Sequence, residues 1–384
     1  MASKAVITGV ADTAVGKVEG STSLGLQAEA AAAAVADAGL SLGDIDGVLC
    51  GYSFTEPHLM LSSVVSEFLG IKPSYSIAVQ AGGATACAQV MQAAALIEAG
   101  ICRHVLAVCG DNRLTGMSRD KAVAALSEVG HAQFERPYGI SVPSAYALVA
   151  QRYMHDYGVT LEHLAGVAVA HRKHAMRNPK AQMRQPITLE DVAKSKPIST
   201  PLRLLDCCLI SDGGAAVVIS AADAARDTRK HGIGILGTGQ MNTHEHIIAS
   251  PSLTDFGCKQ SSRQAFDRAG VTPADIDVAE IYDSFTITLL AELESIGFFA
   301  RGEAGPAILG GALDLDGQLP CNTHGGLLSY AHSGAAGGMF HVVEAVRQLR
   351  GEAKGRQVAS PELAFVHGDG GILSAHCSLV LGRN

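Results

Sequence analysis

The 384-residue chain contains no tryptophan and only 5 % aromatic residues, so its core must be built from small and aliphatic side chains. No stretch approaches about 18 uninterrupted apolar residues, which excludes a membrane-spanning helix. The opening MASKAVITGV holds no long apolar run, so no secretory signal is expected. Basic runs are short and the formal charge is −8, which argues against a nucleic-acid partner. Nine cysteines (Cys50, Cys87, Cys102, Cys109, Cys207, Cys208, Cys258, Cys321, Cys377) are scattered, and none forms a CxxC pair. That pattern predicts reduced thiols in a cytoplasmic protein and no zinc site within the chain.

What is present is a composition able to fold. The chain is 47 % hydrophobic and 17 % charged, which excludes disorder. At about 150 residues per domain, its length suggests roughly two and a half domains. Short apolar runs at Ala5–Val10, Gly47–Cys50 and His104–Cys109 read as strands. Longer runs at Leu24–Ala38 and Gly83–Ala99 read as helices, stopped by Gly39 and Gly100. Strands alternating with helices indicate an α/β layered fold.

The pattern recurs. AAVADAGLSLGDIDGV at 33–48 is echoed by QAFDRAGVTPADIDVA at 264–279, with Ala38, Gly39, Asp44, Ile45 and Asp46 repeated 231 residues later. A weaker echo links Gly83–Gly100 to Gly334–Gly351, each followed by an apolar strand, Val105–Cys109 and Leu363–His367. Two echoes in the same order indicate duplicated halves. The segment between them differs, being more polar, with a helix expected at Ser144–Tyr157. The expected division is residues 1–112 with 202–225 as one half, 113–201 as an inserted loop domain, and 226–384 as the second half.

Four glycine-rich loops could carry chemistry. Ala81-Gly82-Gly83-Ala84-Thr85 heads a helix, where free N–H groups could meet a ligand, or small residues could simply pack. Tyr282-Asp283-Ser284-Phe285 stands between the strand Val278–Ile281 and the helix Thr286–Ile296. Such junctions are often functional, though Asp283 or Ser284 could also be a plain N-cap. Asn322-Thr323-His324-Gly325-Gly326 and Ser329-Tyr330-Ala331-His332-Ser333-Gly334 place two histidines and a tyrosine among small residues. His367-Gly368-Asp369-Gly370-Gly371 follows a strand and could be a tight turn. His171 and His174 flank Arg172 and Lys173, which reads as a solvated basic surface, and Cys207-Cys208 reads as core.

Taken together, these motifs resemble the thiolase superfamily, in its sterol-carrier/lipid-transfer-protein branch, over essentially the whole chain. Phe134-Glu135-Arg136-Pro137-Tyr138-Gly139 and Arg203-Leu204-Leu205-Asp206-Cys207-Cys208 also resemble this branch. The resemblance implies an α/β thiolase fold, with two halves in five layers, α-β-α-β-α, plus the loop domain. It further implies a homodimer and coenzyme A thioester substrates, with no cofactor bound in the chain itself. The departures are informative. Counted back without gaps from Gly100, the family's acyl-carrying cysteine falls on Gly83. Its second cysteine falls on His367, and its Asn or His falls on Tyr282. Its GHP histidine falls on His332, flanked here by Ala331 and Ser333. Cys87 could be a displaced nucleophile, but it lies about 6 Å further along the helix.

A chain without that nucleophile can still stabilise a thioester enolate. Retro-aldol cleavage of a β-hydroxyacyl-CoA forms such an enolate with no covalent intermediate. The sequence is similar to thiolase-like steroid side-chain aldolases, whose YDxF and SYGH tyrosines read here as Tyr282 and Tyr330. That resemblance assigns Tyr282 and Tyr330 the proton transfer; His332 and His367 are then candidates for supporting the phenolate or holding the enolate oxygen, Gly83 and Gly371 could supply backbone N–H groups, and Asp283 and His324 are supporting positions. An unperturbed tyrosine is only ~0.1 % phenolate at pH 7, so transfer must be assisted or concerted. The alternatives are a thiolase-type acyltransferase using Cys87 and a non-catalytic acyl-CoA or lipid-binding subunit. The aldolase resemblance also implies a small OB-fold/zinc-ribbon partner in a heterotetramer.

Overall fold

The computed structural model describes residues 3–227, 230 and 232–383. The extreme ends of the two expected halves, residues 1–2 and 384, lie outside the described residues. In the first half, β1 (Ala5–Asp12), α1 (Ser23–Ala38), β2 (Gly47–Cys50), α2 (Leu61–Leu69), β3 (Tyr75–Ala78), α3 (Thr85–Glu98) and β4 (His104–Asn112) follow in turn. The chain then leaves the sheet and builds α4 (Arg119–Ser127), α5 (Val142–Tyr157), α6 (Leu161–Met176), α7 (Leu189–Lys194) and a small hairpin, β5 (Pro197–Ser199) with β6 (Leu202–Arg203). It returns through β7 (Asp212–Ala221).

The remainder comprises β8 (Ile233–Asn242), α8 (Cys258–Ala269), β9 (Val278–Ile281), α9 (Thr286–Ile296), α10 (Ala304–Leu309), α11 (Gly326–Ser329), α12 (Ala336–Arg350), β10 (Leu363–Gly370) and β11 (Ala375–Arg383). Strand order is β3-β2-β4-β7-β1-β8-β11-β10-β9. The run β2-β4-β7-β1 corresponds to β9-β10-β11-β8, so each half repeats one topology. Within the sheet, β1 meets β8 at Val6↔Gly234 and Ile7↔Ile233.

The layering follows from which faces are apolar. α3 and α12 pack against strands of both half-sheets and form a central layer. α1 and α2 cover the outer face of the first half, and α8, with α9 beside it, covers the second. This is the thiolase fold. Close helix–sheet approach depends on glycine in both halves. A Cβ on Gly9 would stand 2.1 Å from the Ala34 carbonyl oxygen on α1, and one on Gly237 would stand 2.0 Å from that of Ala265 on α8.

The repeated sequence does repeated work. Gly39 and Gly270 both end their helices in the left-handed conformation. Asp46 accepts from the N–H groups of Arg103 and His104 where β4 begins. Asp277 does the same for Glu362 and Leu363 at the start of β10. No helix among the described residues is long and apolar enough to cross a membrane.

Candidate active site

The loops at the ends of β3, β9 and β10 meet α5 and the segment 198–210 around one large cavity of about 1910 Å³. Common small-molecule sites are about 300–1,000 Å³, so this cavity suits a bulky ligand. Gly83, Tyr282, His332 and Gly371 line it. Tyr282 leaves the end of β9, where its N–H bonds the His367 carbonyl at 3.0 Å. Its Oη lies 3.0 Å from His332 Nε2. His332 Nδ1 lies 3.3 Å from the Leu209 carbonyl and 3.2 Å from Cys208 Sγ.

A carbonyl can only accept, so the ring proton is assigned to Nδ1. Nε2 is then free to accept from the Tyr282 hydroxyl. Burial, reinforced by Arg113, lowers the His332 pKa to about 3, so the ring is neutral. Burial, with negative neighbours adding to it, pushes the Tyr282 phenol well above its ordinary value. The resting pair is therefore a neutral phenol donating to a neutral imidazole.

Gly83 explains why Tyr282 can stand there. A Cβ on Gly83 would lie 2.1 Å from Tyr282 Cζ and 2.2 Å from the Asp369 carbonyl oxygen. The tyrosine ring fills the space that a side chain at position 83 would need. Cys87, one turn along α3, is fully buried in the core and does not line the cavity. Burial raises its thiol well above the ordinary range, which removes the thiolate a nucleophile requires.

Other expected residues fall outside the cavity. Tyr330 ends α11, packs against Phe340 and His324, and donates to Asp12 Oδ2 at 2.6 Å. Asp12 is also held by Arg347 and Lys180. The structure therefore does not bring Tyr282 and Tyr330 together: one ring faces the cavity and the other an ion-pair cluster behind it. His367 is buried beneath the cavity floor, its Nδ1 2.8 Å from Ser378 Oγ.

Asp283 is buried and accepts from the N–H groups of Leu327 and Leu328 and from His171 Nδ1. It caps α11, not α9, whose preceding residue is Phe285. His324 stands behind Asp283, with Nδ1 3.0 Å from Glu280. Both residues therefore build the wall that carries Tyr282 and do not line the cavity.

Two sequence expectations are overturned. The histidines of the supposed basic surface, His171 and His174, are buried, and so is Arg172; only Lys173 is exposed. They lie on the inward face of α6, where His171 reaches Asp283 and His174 reaches the Leu313 carbonyl. Cys208 lines the cavity instead of the core, and Cys207 lines the cavity while also packing against the core. Tyr146 and Asp369 were missed as wall residues. Tyr146 donates to Asp369 Oδ2 at 2.8 Å and stacks on Phe285. Nothing local marks Cys208 or Tyr146, because each gains its meaning from a contact more than 100 residues away.

Comparison with known proteins agrees with this fold. The family description "Thiolase, N-terminal domain" matches residues 5–223, and "Thiolase C-terminal domain-like" matches 239–383. The chain is 36 % identical to a 17-hydroxy-3-oxo-4-pregnene-20-carboxyl-CoA lyase of Mycobacterium tuberculosis, over 100 % of both chains. It is 38 % identical to a steroid side-chain-cleaving aldolase of Thermomonospora curvata, over 90 % of each. A solved structure described as an Ltp2-ChsH2(DUF35) aldolase superposes with a TM-score of 0.88 at 36 % identity, covering 99 % of this chain and 98 % of that one. Taken with the duplicated halves and the central pair of helices, these matches establish that the chain is an enzyme of the thiolase superfamily.

Proposed function

We propose that the protein is a carbon–carbon lyase that cleaves a β-hydroxyacyl-CoA by retro-aldol chemistry, with Tyr282 and His332 as its proton-transfer pair. The observation that carries this reading is the Tyr282 ring occupying the space beside Gly83, its hydroxyl on His332 Nε2. Tyr282 Oη takes the proton of the substrate β-hydroxyl while its own proton passes to Nε2. The Cα–Cβ bond breaks, its electron pair enters the thioester enolate, and the β-carbon leaves as a carbonyl. The proton then returns through Tyr282 to Cα, giving the shortened acyl-CoA. No covalent intermediate and no oxidant is needed. Concerted transfer suits this pair, because burial disfavours a free phenolate, and the proton that His332 takes up is handed back to Cα within the same cycle.

In this reading Gly83 and Gly371 are the cavity's backbone donors to the enolate oxygen. Tyr330, Asp283, His324 and His367 are positioning residues. The functional division is 1–112 with 202–225, the insert 113–201, and 226–384. The cavity volume and the aldolase relatives support a steroid-sized acyl group. The DUF35 protein in the similar structure supports a small partner subunit and a heterotetramer built on a homodimer. Nine free thiols support a cytoplasmic setting.

The test is product analysis and intact-protein mass spectrometry with a panel of acyl-CoA and β-hydroxyacyl-CoA thioesters, any co-purifying partner retained. The expected result is a shortened acyl-CoA plus a carbonyl product, with no protein adduct. A stable acyl adduct on a cysteine would overturn the proposal in favour of acyl transfer. Binding without turnover would favour a non-catalytic subunit.

A further inference from the structure

Beneath the cavity floor, three side chains from α9 and the β10–β11 hairpin converge on one point. His367 Nε2 and His376 Nδ1 are 3.2 Å apart. Glu292 Oε1 lies 3.4 Å from the first and 3.7 Å from the second. All three side chains are fully buried. Asp369 Oδ1 approaches from the cavity side, 4.0 Å from His376 Nδ1.

These spacings have a simple reading. Zinc-type ions bind imidazole nitrogen and carboxylate oxygen at about 2.0–2.2 Å, so two ligand atoms on a tetrahedron stand about 3.3–3.6 Å apart. The three edges of the triangle are close to that length. The polar accounting points the same way. Glu292 Oε1, Glu292 Oε2 and Asp369 Oδ1 are buried acceptors with no hydrogen-bond partner. Leaving such groups unmet in an apolar interior is costly, and a cation at the triangle would meet the Glu292 carboxylate.

The surroundings also match what a metal-bound histidine needs. His367 Nδ1 is 2.8 Å from Ser378 Oγ, which is itself 3.0 Å from Ser261 Oγ. With Nδ1–H donating to that hydroxyl, Nε2 turns its lone pair toward the triangle, which is the tautomer a metal ligand needs. The buried cluster of Glu280, His324 and His341 differs, since Glu280 already accepts from the Thr323 N–H and hydroxyl.

We propose that Glu292, His367 and His376, with Asp369 on the fourth side, bind one zinc-type divalent cation under the cavity floor. This departs from the expectation of no zinc site within the chain, which rests on cysteine spacing alone. The ion would tie α9 to the β10–β11 hairpin and hold Asp369, and through it Tyr146, in the cavity wall. This site stands independently of the lyase reading.

The test is metal analysis of the full-length chain purified away from any zinc-containing partner, with Tm followed during chelation and on adding zinc chloride. We expect about one ion per chain, a fall in Tm on removal and its recovery with zinc. Glu292→Gln and His376→Gln should lose the metal, whereas His155→Gln, at an exposed position, should keep it. Co2+ substitution should give the visible absorption of a four-coordinate site. Metal far below one ion per chain, with no response of Tm to zinc, would overturn the site even if both variants fail to fold. So would full metal content in Glu292→Gln.

Discussion

At the scale of the residue, the hydroxyl group of each key tyrosine decides its role. Tyr282→Phe removes only Oη from the cavity, and general acid–base contributions are typically ~10²–10⁴-fold, so cleavage should fall by about that factor with Tm nearly unchanged. Release of the carbonyl product measures it. Tyr330→Phe should behave in the opposite way. It strips one hydrogen bond from Asp12, which keeps Arg347 and Lys180. A buried bond to a charged group is worth about 1.5–3 kcal/mol, so denaturant titration should show a loss of that order. Turnover per folded molecule should stay close to wild type, and a loss of turnover as deep as that of Tyr282→Phe would return Tyr330 to the chemistry.

Buried charge gives a second prediction at this scale. Burial alone would lower the His341 pKa, but hydrogen bonds and charge from Asp283 and Glu280 overcome it and raise the value to about 9. A group raised on folding stabilises fully below its unfolded value, near 6.5, and loses that contribution as pH rises through the folded one. Thermal melts should therefore show stability falling between about pH 6.5 and 9 and levelling off above that, and His341→Gln should flatten that limb. Asp12 acts with the opposite sign. Burial opposes its charge, yet the hydrogen bonds and charges of Arg347 and Lys180 hold its pKa well below the ordinary value. Its contribution is present above about pH 4 and is lost as acid protonates it.

At the scale of the element, the central layer is the most constrained part. α12 crosses α3 so closely that a Cβ on Gly338 would stand 2.5 Å from the Gly83 carbonyl oxygen. Gly338→Ala must push the helices apart, and overpacking of this kind costs about 1–3 kcal/mol. Because Gly83 carries the Tyr282 contact, turnover should fall along with Tm, unlike at a remote core site. The helix spans themselves were legible in sequence: α9 was expected at Thr286–Ile296 and forms there. α1 and α3 form within two residues of their expected limits, because glycine stops and apolar periodicity are local signals. α6 was not legible. Its polar residues suggested a surface, and only the buried carboxylate at Asp283 gives His171 a reason to point inward.

At the scale of the whole molecule, the two halves depend on each other. α3 packs against β10 and β11 as well as its own strands, and α12 packs against β4 and β7. A chain ending at residue 225 would expose the inner face of α3, so it should aggregate or stay unfolded when expressed alone. Size-exclusion chromatography and circular dichroism would show this, and a monodisperse, cooperatively melting fragment would contradict it.

The sequence by itself determined the duplication, the α/β class and the four loops from which the site is drawn. Strand and helix periodicity, glycine stops and the repeated Asp46 and Asp277 are written within a few residues of one another. Only the tertiary structure decided which side chains of those loops face the cavity. Tyr282 meets His332 across 50 residues and His332 meets Cys208 across 124, whereas Tyr330 turns to Asp12 across 318. Motif spacing cannot rank such contacts, because a side chain's direction is set by the packing of the layer beneath it. Here that layer, built on the close approach at Gly83, turns one tyrosine into the cavity, while the Asp12–Arg347 ion pair draws the other away.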